Sequence, residues 1–404
     1  MRIINRTIWI LSLVSLIADI ASEMLYPVIP LYLKEIGFSV LLIGVLEGFV
    51  NFTAGISKGY FGAWSDRKGL RLPFVRWGYF LSAVSKPLMA AFAWHWWVFL
   101  ARSTDRLGKG VRTAARDALL AQETTPEFRG RVFGFHRSMD TFGAAIGPLL
   151  ALGFLFLYPG AYSSLFYWAF LPGLLSVALT FFVKETQQPI SLEKKGNFLS
   201  YFGYWKQASP SFKKAMPGFL LFAFFNSADI FLLLITRQQL DGQELQVGSV
   251  LLTADTLTIG AYIFYNLVYA IASYPLGALA DRWGTNSVII GGMLIYALVY
   301  AGFAMEPGLK EILALFLLYG IYAAATEGVI KAWISNRTDS RHRATAIGFY
   351  TSCESIAALV ASVIAGVVWS NWGAAPTFAI PAIAAVLAAS WLFYQLNSNP
   401  ISSR

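Results

Sequence analysis

Apolar residues along this chain gather into twelve runs, each long enough to cross a bilayer once short polar interruptions are allowed. The pattern predicts helices at Thr7–Leu33, Val40–Trp64, Pro73–Ala93, Trp96–Leu119, Val132–Leu157, Ser163–Val183, Pro217–Thr236, Leu257–Ala280, Asn286–Phe303, Glu311–Ile334, Ala344–Trp369 and Ala375–Tyr394. The first run follows a basic start and could imitate a signal peptide. It is too long for one, carries Asp19 and Glu23, and is read as a membrane helix.

Composition agrees with the pattern. Of 404 residues, 57% are hydrophobic and 13% are charged, against about 25% charge in a soluble domain. The net charge of +9 would suit nucleic acid if the bases formed one face. Instead they sit in alternate turns: Arg67, Lys68, Arg71 and Arg76, then Arg116, Arg129 and Arg131, then Lys184, Lys194 and Lys195, then Arg282, then Arg337, Arg341 and Arg343. The intervening turns Trp94-His95-Trp96, Tyr158-Pro159-Gly160 and Asn371-Trp372-Gly373 hold no Lys or Arg. This bias places both termini in the cytoplasm and makes the lipid bilayer, not nucleic acid, the expected partner. Cys353 is the sole cysteine, so neither an internal disulfide nor a cysteine zinc site is expected. His95, His136 and His342 are too scattered to suggest a metal.

The chain divides into residues 1–183, a linker at 184–216, and residues 217–404. In the linker, Phe198, Phe202 and Trp205 share a helical face near Lys206, Lys213 and Lys214. That pattern suits either an amphipathic helix on the inner leaflet or a plain tether.

The two halves repeat each other. Gly62-Ala-Trp-Ser-Asp66-Arg67-Lys68-Gly69-Leu-Arg71 returns as Gly277-Ala-Leu-Ala-Asp281-Arg282-Trp-Gly284. Ala18-Asp19-Ile20 returns as Ala228-Asp229-Ile230. Arg131-Val-Phe-Gly134-Phe135 returns as Thr345-Ala-Ile-Gly348-Phe349, which sets Asp140 opposite Glu354. A helical membrane chain with internal repeats reads as a two-lobed carrier.

On these residues the chain resembles the major facilitator superfamily over nearly its full length. The Gly62–Arg71 turn matches that family's motif between its second and third helices, and Gly277–Gly284 is the degenerate second copy. Arg106-Leu-Gly-Lys109-Gly110-Val-Arg112 resembles the basic motif of the fourth helix, with Lys109 where a polar amide is common. Gly143-Ala-Ala-Ile-Gly147-Pro148 is similar to the fifth-helix motif of exporters and antiporters, although Ala151-Leu152 stands where a glycine pair usually follows. The resemblance implies twelve transmembrane helices in two pseudo-symmetric six-helix bundles, an all-α membrane protein working as a monomer. It also implies that Asp66 meets the eleventh helix and that Asp281 mirrors it on the fifth.

Candidate chemistry lies where charge interrupts the apolar runs. Ser12, Ser15, Asp19, Glu23 and Tyr26 form one polar stripe on the first helix. A charge at mid-membrane costs roughly 2.5–3.5 kcal/mol, so it normally faces a cavity or a partner. Asp19 and Glu23, one turn apart, are candidate proton-coupling sites, and Glu47 is a third. The competing reading is static pairing with the basic fourth helix. That helix carries Arg102, Asp105, Arg106, Lys109, Arg112 and Arg116 on one broad face. Arg106 needs a counter-ion, which Asp19, Glu23 or Glu47 could supply. Asn51, Asn226, Asp229, Tyr262, Tyr265, Tyr269, Glu327 and Glu354 complete the candidate cavity lining, with the tyrosines either walling an apolar space for an amphiphilic ligand or facing lipid and neighbouring helices. Glu327 and Lys331 sit one turn apart and would neutralise each other, as would Arg137 and Asp140. Gly62, Asp66, Arg67, Arg71, Gly277, Asp281 and Arg282 are candidate gating residues, with Asp117 the expected partner of Arg67 and Arg71.

The expected function is secondary active transport by alternating access, with no enzymatic activity and no cofactor. Small molecules and protons are the expected partners, and export by proton antiport is the expected direction. Proton-linked uptake of a small organic anion and lipid flipping are the alternatives. No G-x-x-x-x-G-K-[ST] loop is present, so drive by ATP within the chain is not expected.

Overall fold

A computed structural model describes residues 3–26, 28–38, 40–185, 197–242, 245–247 and 250–397. The first bundle contains α1 (Arg6–Glu23), α2 (Ile29–Glu35), α3 (Val40–Lys68), α4 (Leu72–Ala91), α5 (His95–Gln122), α6 (Arg129–Leu157) and α7 (Tyr162–Thr180). The short α8 (Tyr204–Gln207) lies in the linker. The second bundle contains α9 (Pro210–Phe225), α10 (Ile230–Gln239), α11 (Ala254–Trp283), α12 (Thr285–Phe303), α13 (Leu309–Asn336), α14 (Arg343–Trp372) and α15 (Ala374–Asn397). A small antiparallel hairpin, Leu245–Val247 with Val250–Leu252, joins α10 to α11.

Local chemistry starts these helices. Asn5 Oδ1 accepts from Ile8 N at 2.9 Å to cap α1, and Thr253 and Ser209 cap α11 and α9 in the same way. The carboxylate of Glu185 accepts from Arg71 N and Leu72 N at 2.6 and 2.7 Å, closing the first turn of α4.

Two predicted spans are not continuous. The first breaks after Glu23 and resumes at Ile29, with Pro30 in the first turn of α2, a position proline tolerates because its missing N–H has no partner there. The seventh begins at Pro210 and breaks at Asn226–Asp229. Asn226 leaves the helical region at ψ 87°, and Ala228 N is taken by Ser362 Oγ at 3.1 Å. These breaks bring Glu23 and Asp229 to helix ends.

The linker differs from a single amphipathic helix. Its described part forms a 3₁₀ turn, Ser200–Gly203, followed by α8. Tyr201, only 2% exposed, lies against Gly59 of α3 and stacks on Phe202 at 4.6 Å. Phe202 and Trp205 contact Phe349 of α14 at 5.8 and 6.3 Å. The linker therefore covers the seam between α3 and α14.

The cores of the bundles differ. The second holds one large aromatic core around Trp333, Tyr296, Tyr300, Phe303 and Phe316. The first splits into two smaller clusters, one around Leu33, Leu46 and Phe166 and one around Ile8, Val75 and Val132. Charged residues of α1, α4 and α5 fall between those clusters. Correspondingly, all eight spans that qualify by length and apolar composition among the described residues lie from residue 126 onward.

Candidate functional site

A cavity of about 350 Å³ lies between the bundles. Its wall carries six carboxylates, Asp19, Glu23, Asp140, Asp229, Glu327 and Glu354, and six bases, Lys58, Lys109, Arg112, Arg116, Arg137 and Lys331. Tyr262, Tyr265, Asn266 and Tyr269 of α11 form the opposite part of the lining. The cavity is thus highly charged rather than the apolar space expected around the tyrosines.

Close packing of α6 on α1 exposes the acids to this space. A side chain at Gly143 would strike Leu16 O and Asp19, and one at Gly147 would strike the backbone of Glu23 and Met24. Small residues at these positions let the two backbones approach. Pro148 follows within α6. The glycine motif of the fifth span therefore shapes the seat of Asp19 and Glu23.

Asp140 of α6 and Asp19 both line the cavity, and Asp140 accepts a hydrogen bond from Ser15. Arg137 Nη1 pairs with Asp140 at 2.8 Å, and Arg137 also pairs with Glu327 of α13 and donates to Tyr269 of α11. Arg116 Nη2 pairs with Asp117 at 3.0 Å, and Lys331 Nζ of α13 pairs with the other oxygen of Asp117 at 2.7 Å. Glu327 and Lys331 therefore do not neutralise each other; each reaches across to the first bundle. Asp117 likewise serves Arg116 and Lys331 rather than Arg71. Two further carboxylates are bound by tyrosine: Tyr319 donates to Asp229 at 2.7 Å, and Tyr350 to Glu354 at 2.9 Å. Asn226, at the α9–α10 break, donates to Tyr322 at 3.0 Å.

Arg106 lines a small side pocket with Glu23, Arg102, Asp105 and Lys109. The side chains of Glu47 and Asn51 lie outside the described residues. Lys86 of α4 escaped the sequence reading. It is buried, donates to Ser82 O at 2.9 Å and lies 3.8 Å from Asp105. Its only sequence signal is a lysine in the middle of an apolar run, flanked by Ser85 and Pro87.

Below the cavity, on the side of the basic turns, the bundles are fastened twice. Asp66 Oδ2 accepts from Thr345 N and Oγ1 at 2.7 and 2.8 Å, at the first turn of α14, while Asp66 Oδ1 binds Arg71 at 2.9 Å. Arg71 continues to Ser340 O at 2.9 Å. Gly62 sits beneath Ala344 O. In the second copy, Asp281 accepts from Gly130 N and Arg131 N at 2.7 and 2.9 Å, at the first turn of α6. Gly277 and Gly130 meet backbone to backbone. Each carboxylate lies where helix N–H groups and the macrodipole favour an anion. Arg67 is half-buried, whereas Arg282 is exposed. Arg129 adds a third fastening, to Ser335 O and Asn336 Oδ1 at 2.7 and 2.8 Å. Each of these fastenings lies between the cavity floor and the basic turns.

Residues 11–264 and 249–403 each match the family model described as Major Facilitator Superfamily. The chain belongs to the major facilitator superfamily. An MFS-type transporter of Methanocaldococcus jannaschii is 31% identical over 368 residues, covering 91% of this chain and 89% of that protein. Multidrug resistance protein MdtH of Photorhabdus laumondii is 29% identical over 126 residues, 31% of each chain. Among solved structures, the human organic anion transporter MFSD10 superposes with a TM-score of 0.77 at 17% identity, over 96% of this chain and 99% of that one. The fucose:proton symporter FucP of E. coli gives 0.77 at 13% identity, over 96% and 98%. As an MFS protein the chain is a multi-pass membrane transporter of small molecules and not an enzyme.

Proposed function

We propose that this protein is a proton-coupled secondary transporter of the cytoplasmic membrane, with both termini inside, that exports a small amphiphilic, drug-like or metabolic solute by antiport. The observation that carries the coupling is that Asp19 of α1 and Asp140 of α6 line one cavity where α6 packs on α1 at Gly143. Two carboxyl groups in one confined space share a proton or repel. Arg137 secures Asp140 and leaves Asp19 as the member free to gain or lose that proton. Lys109, which lines the same cavity as Asp19, opposes the charge left behind. The fastened basic-turn side is the cytoplasmic one by the charge bias of the turns, so this conformation opens outward, where an exporter would exchange solute for protons.

Export is supported by the Gly143–Pro148 motif and by the likeness to MdtH. Uptake of an organic anion is the second reading. It is favoured by Lys58 and Lys109, which have no carboxylate within 4.0 Å among the described residues.

Proteoliposomes with an imposed pH gradient test the coupling. Asp19→Asn should abolish uphill movement and keep solute exchange at equal pH. Uphill movement at the wild-type rate in Asp19→Asn would remove the assignment. The sign of gradient that drives accumulation separates export from uptake.

A further inference from the structure

The cavity's charges are not all spent on one another. Arg137 is held by Asp140 and Glu327, and Arg116 and Lys331 are held by Asp117. On the wall of the first bundle, this leaves Lys58 of α3 and Lys109 and Arg112 of α5; Arg112 donates to Ser82 Oγ at 2.7 Å and lies over the Tyr79 ring, which turns it away to α4. Lys58 donates only a long hydrogen bond to Ser355 Oγ at 3.5 Å. The carboxylates that face the two lysines, Glu354 and Asp117 for Lys58 and Asp19 and Glu23 for Lys109, stand beyond 4.0 Å. On the wall of the second bundle stands the complementary group. Asp229 has no Lys or Arg within 4.0 Å among the described residues, accepts from Tyr319, and sits at the break between α9 and α10.

Tyrosine rings surround Asp229. Tyr319 and Tyr265 have centroids 4.9 Å apart, and Tyr265 and Tyr262 are 5.9 Å apart. A carboxylate in an aromatic wall attracts an ammonium group by charge and by the ring quadrupole together. Two ammonium groups on the facing wall, without ion pairs among the described residues, attract a carboxylate or phosphate.

We propose that the solute is a small zwitterion, its anionic group between Lys58 and Lys109 and its ammonium group against Asp229 and the tyrosines. This deepens the transport reading and rests on it only in treating the central cavity as the binding site. A cavity of about 350 Å³ lies at the small end of the range for ligand sites, so the solute is a free molecule rather than a whole lipid. One molecule bridging both walls neutralises both at once, which a simple anion or a simple cation does not.

The test uses the purified full-length protein in detergent and a graded series of trimethylammonio carboxylates, glycine betaine being the shortest. Each is compared with the alkyltrimethylammonium and the alkyl carboxylate of the same length, by thermal shift and by direct titration. One member of the series should bind about tenfold or more tightly than either singly charged analogue. Asp229→Asn should erase the preference over the carboxylate, and Lys109→Gln the preference over the ammonium. These are ratios of affinities, so a modest loss of folded protein does not move them. Equal binding of a singly charged analogue, no binding by any member, or binding only by lysophosphatidylcholine would each overturn the inference. A zwitterion that binds and crosses proteoliposomes without proton movement would spare it and remove the coupling reading. Proton-driven flux of singly charged solutes alone would do the reverse.

Discussion

Lys331 on α13 and Asp117 on α5 form a 2.7 Å ion pair that ties the two bundles together beneath the cavity. Asp117 is fully buried, and Arg116 occupies its other oxygen. Removing Lys331 leaves half of that carboxylate without its charged donor, at a cost of about 1.5–3 kcal/mol. Lys331→Met should therefore lower the melting temperature and shift the population toward a state open on the basic-turn side. The double variant Lys331→Met/Asp117→Asn should cost less than the sum of the single changes. Strict additivity would show that the pair does not couple the bundles.

Asp66 closes the same side through Thr345. Placing a carboxylate at a partly buried helix N-terminus contributes up to ~2 kcal/mol, and the neutral amide of an asparagine would keep only part of it. In a Cys353→Ser background, Asp66→Asn should speed thiol labelling at Ser340→Cys and slow it at Tyr26→Cys. Tyr26 is 53% exposed, beyond the cavity from these fastenings. Unchanged labelling at both reporters would dismiss the latch.

Gly277 and Gly130 bring α11 and α6 into backbone contact. A valine at position 277 has nowhere to go without prying these helices apart, which also moves Asp281 away from the first turn of α6. Gly277→Val should lose transport and fold less stably, while Gly291→Ala, whose surroundings are open, should do neither. Normal flux in Gly277→Val would mean that the seam yields.

Tyr201 seals the linker over Gly59. Truncating a buried aromatic side chain costs about 3–5 kcal/mol. Here that loss falls mainly on docking of the linker, so Tyr201→Ala should speed limited proteolysis between the bundles while Tyr201→Phe restores resistance. Equal cleavage of all three proteins would show that the ring does not hold the segment down.

The residues that carry the fold announce themselves locally. Long apolar runs, basic turns on alternate sides and the repeated Gly62–Arg71 motif require no knowledge of neighbours, and the positions of α3 to α7 and α11 to α15 follow from them. The interruptions at Glu23–Ile29 and Asn226–Asp229 were hidden, because a polar residue or two in an apolar run does not say whether the backbone stays helical. The candidate cavity was legible as a set of intramembrane charges. Lys86 was not, since one lysine in an apolar run shows no partner in the sequence.

The chain by itself determined its class, its twofold repeat and the turns that hold Asp66 and Asp281, since each depends on periodicity or on residues near one another in sequence. Only the tertiary structure decided which charges meet. Glu327 and Lys331 are neighbours on one helix, yet they bind Arg137 and Asp117 of the other bundle. Inside a dry interior a charge is satisfied by whatever opposite charge helix rotation and packing bring closest, and the order of residues along one helix does not fix that. Among the described residues, the same geometry leaves Lys58, Lys109 and Asp229 without ion pairs at the edge of one shared space.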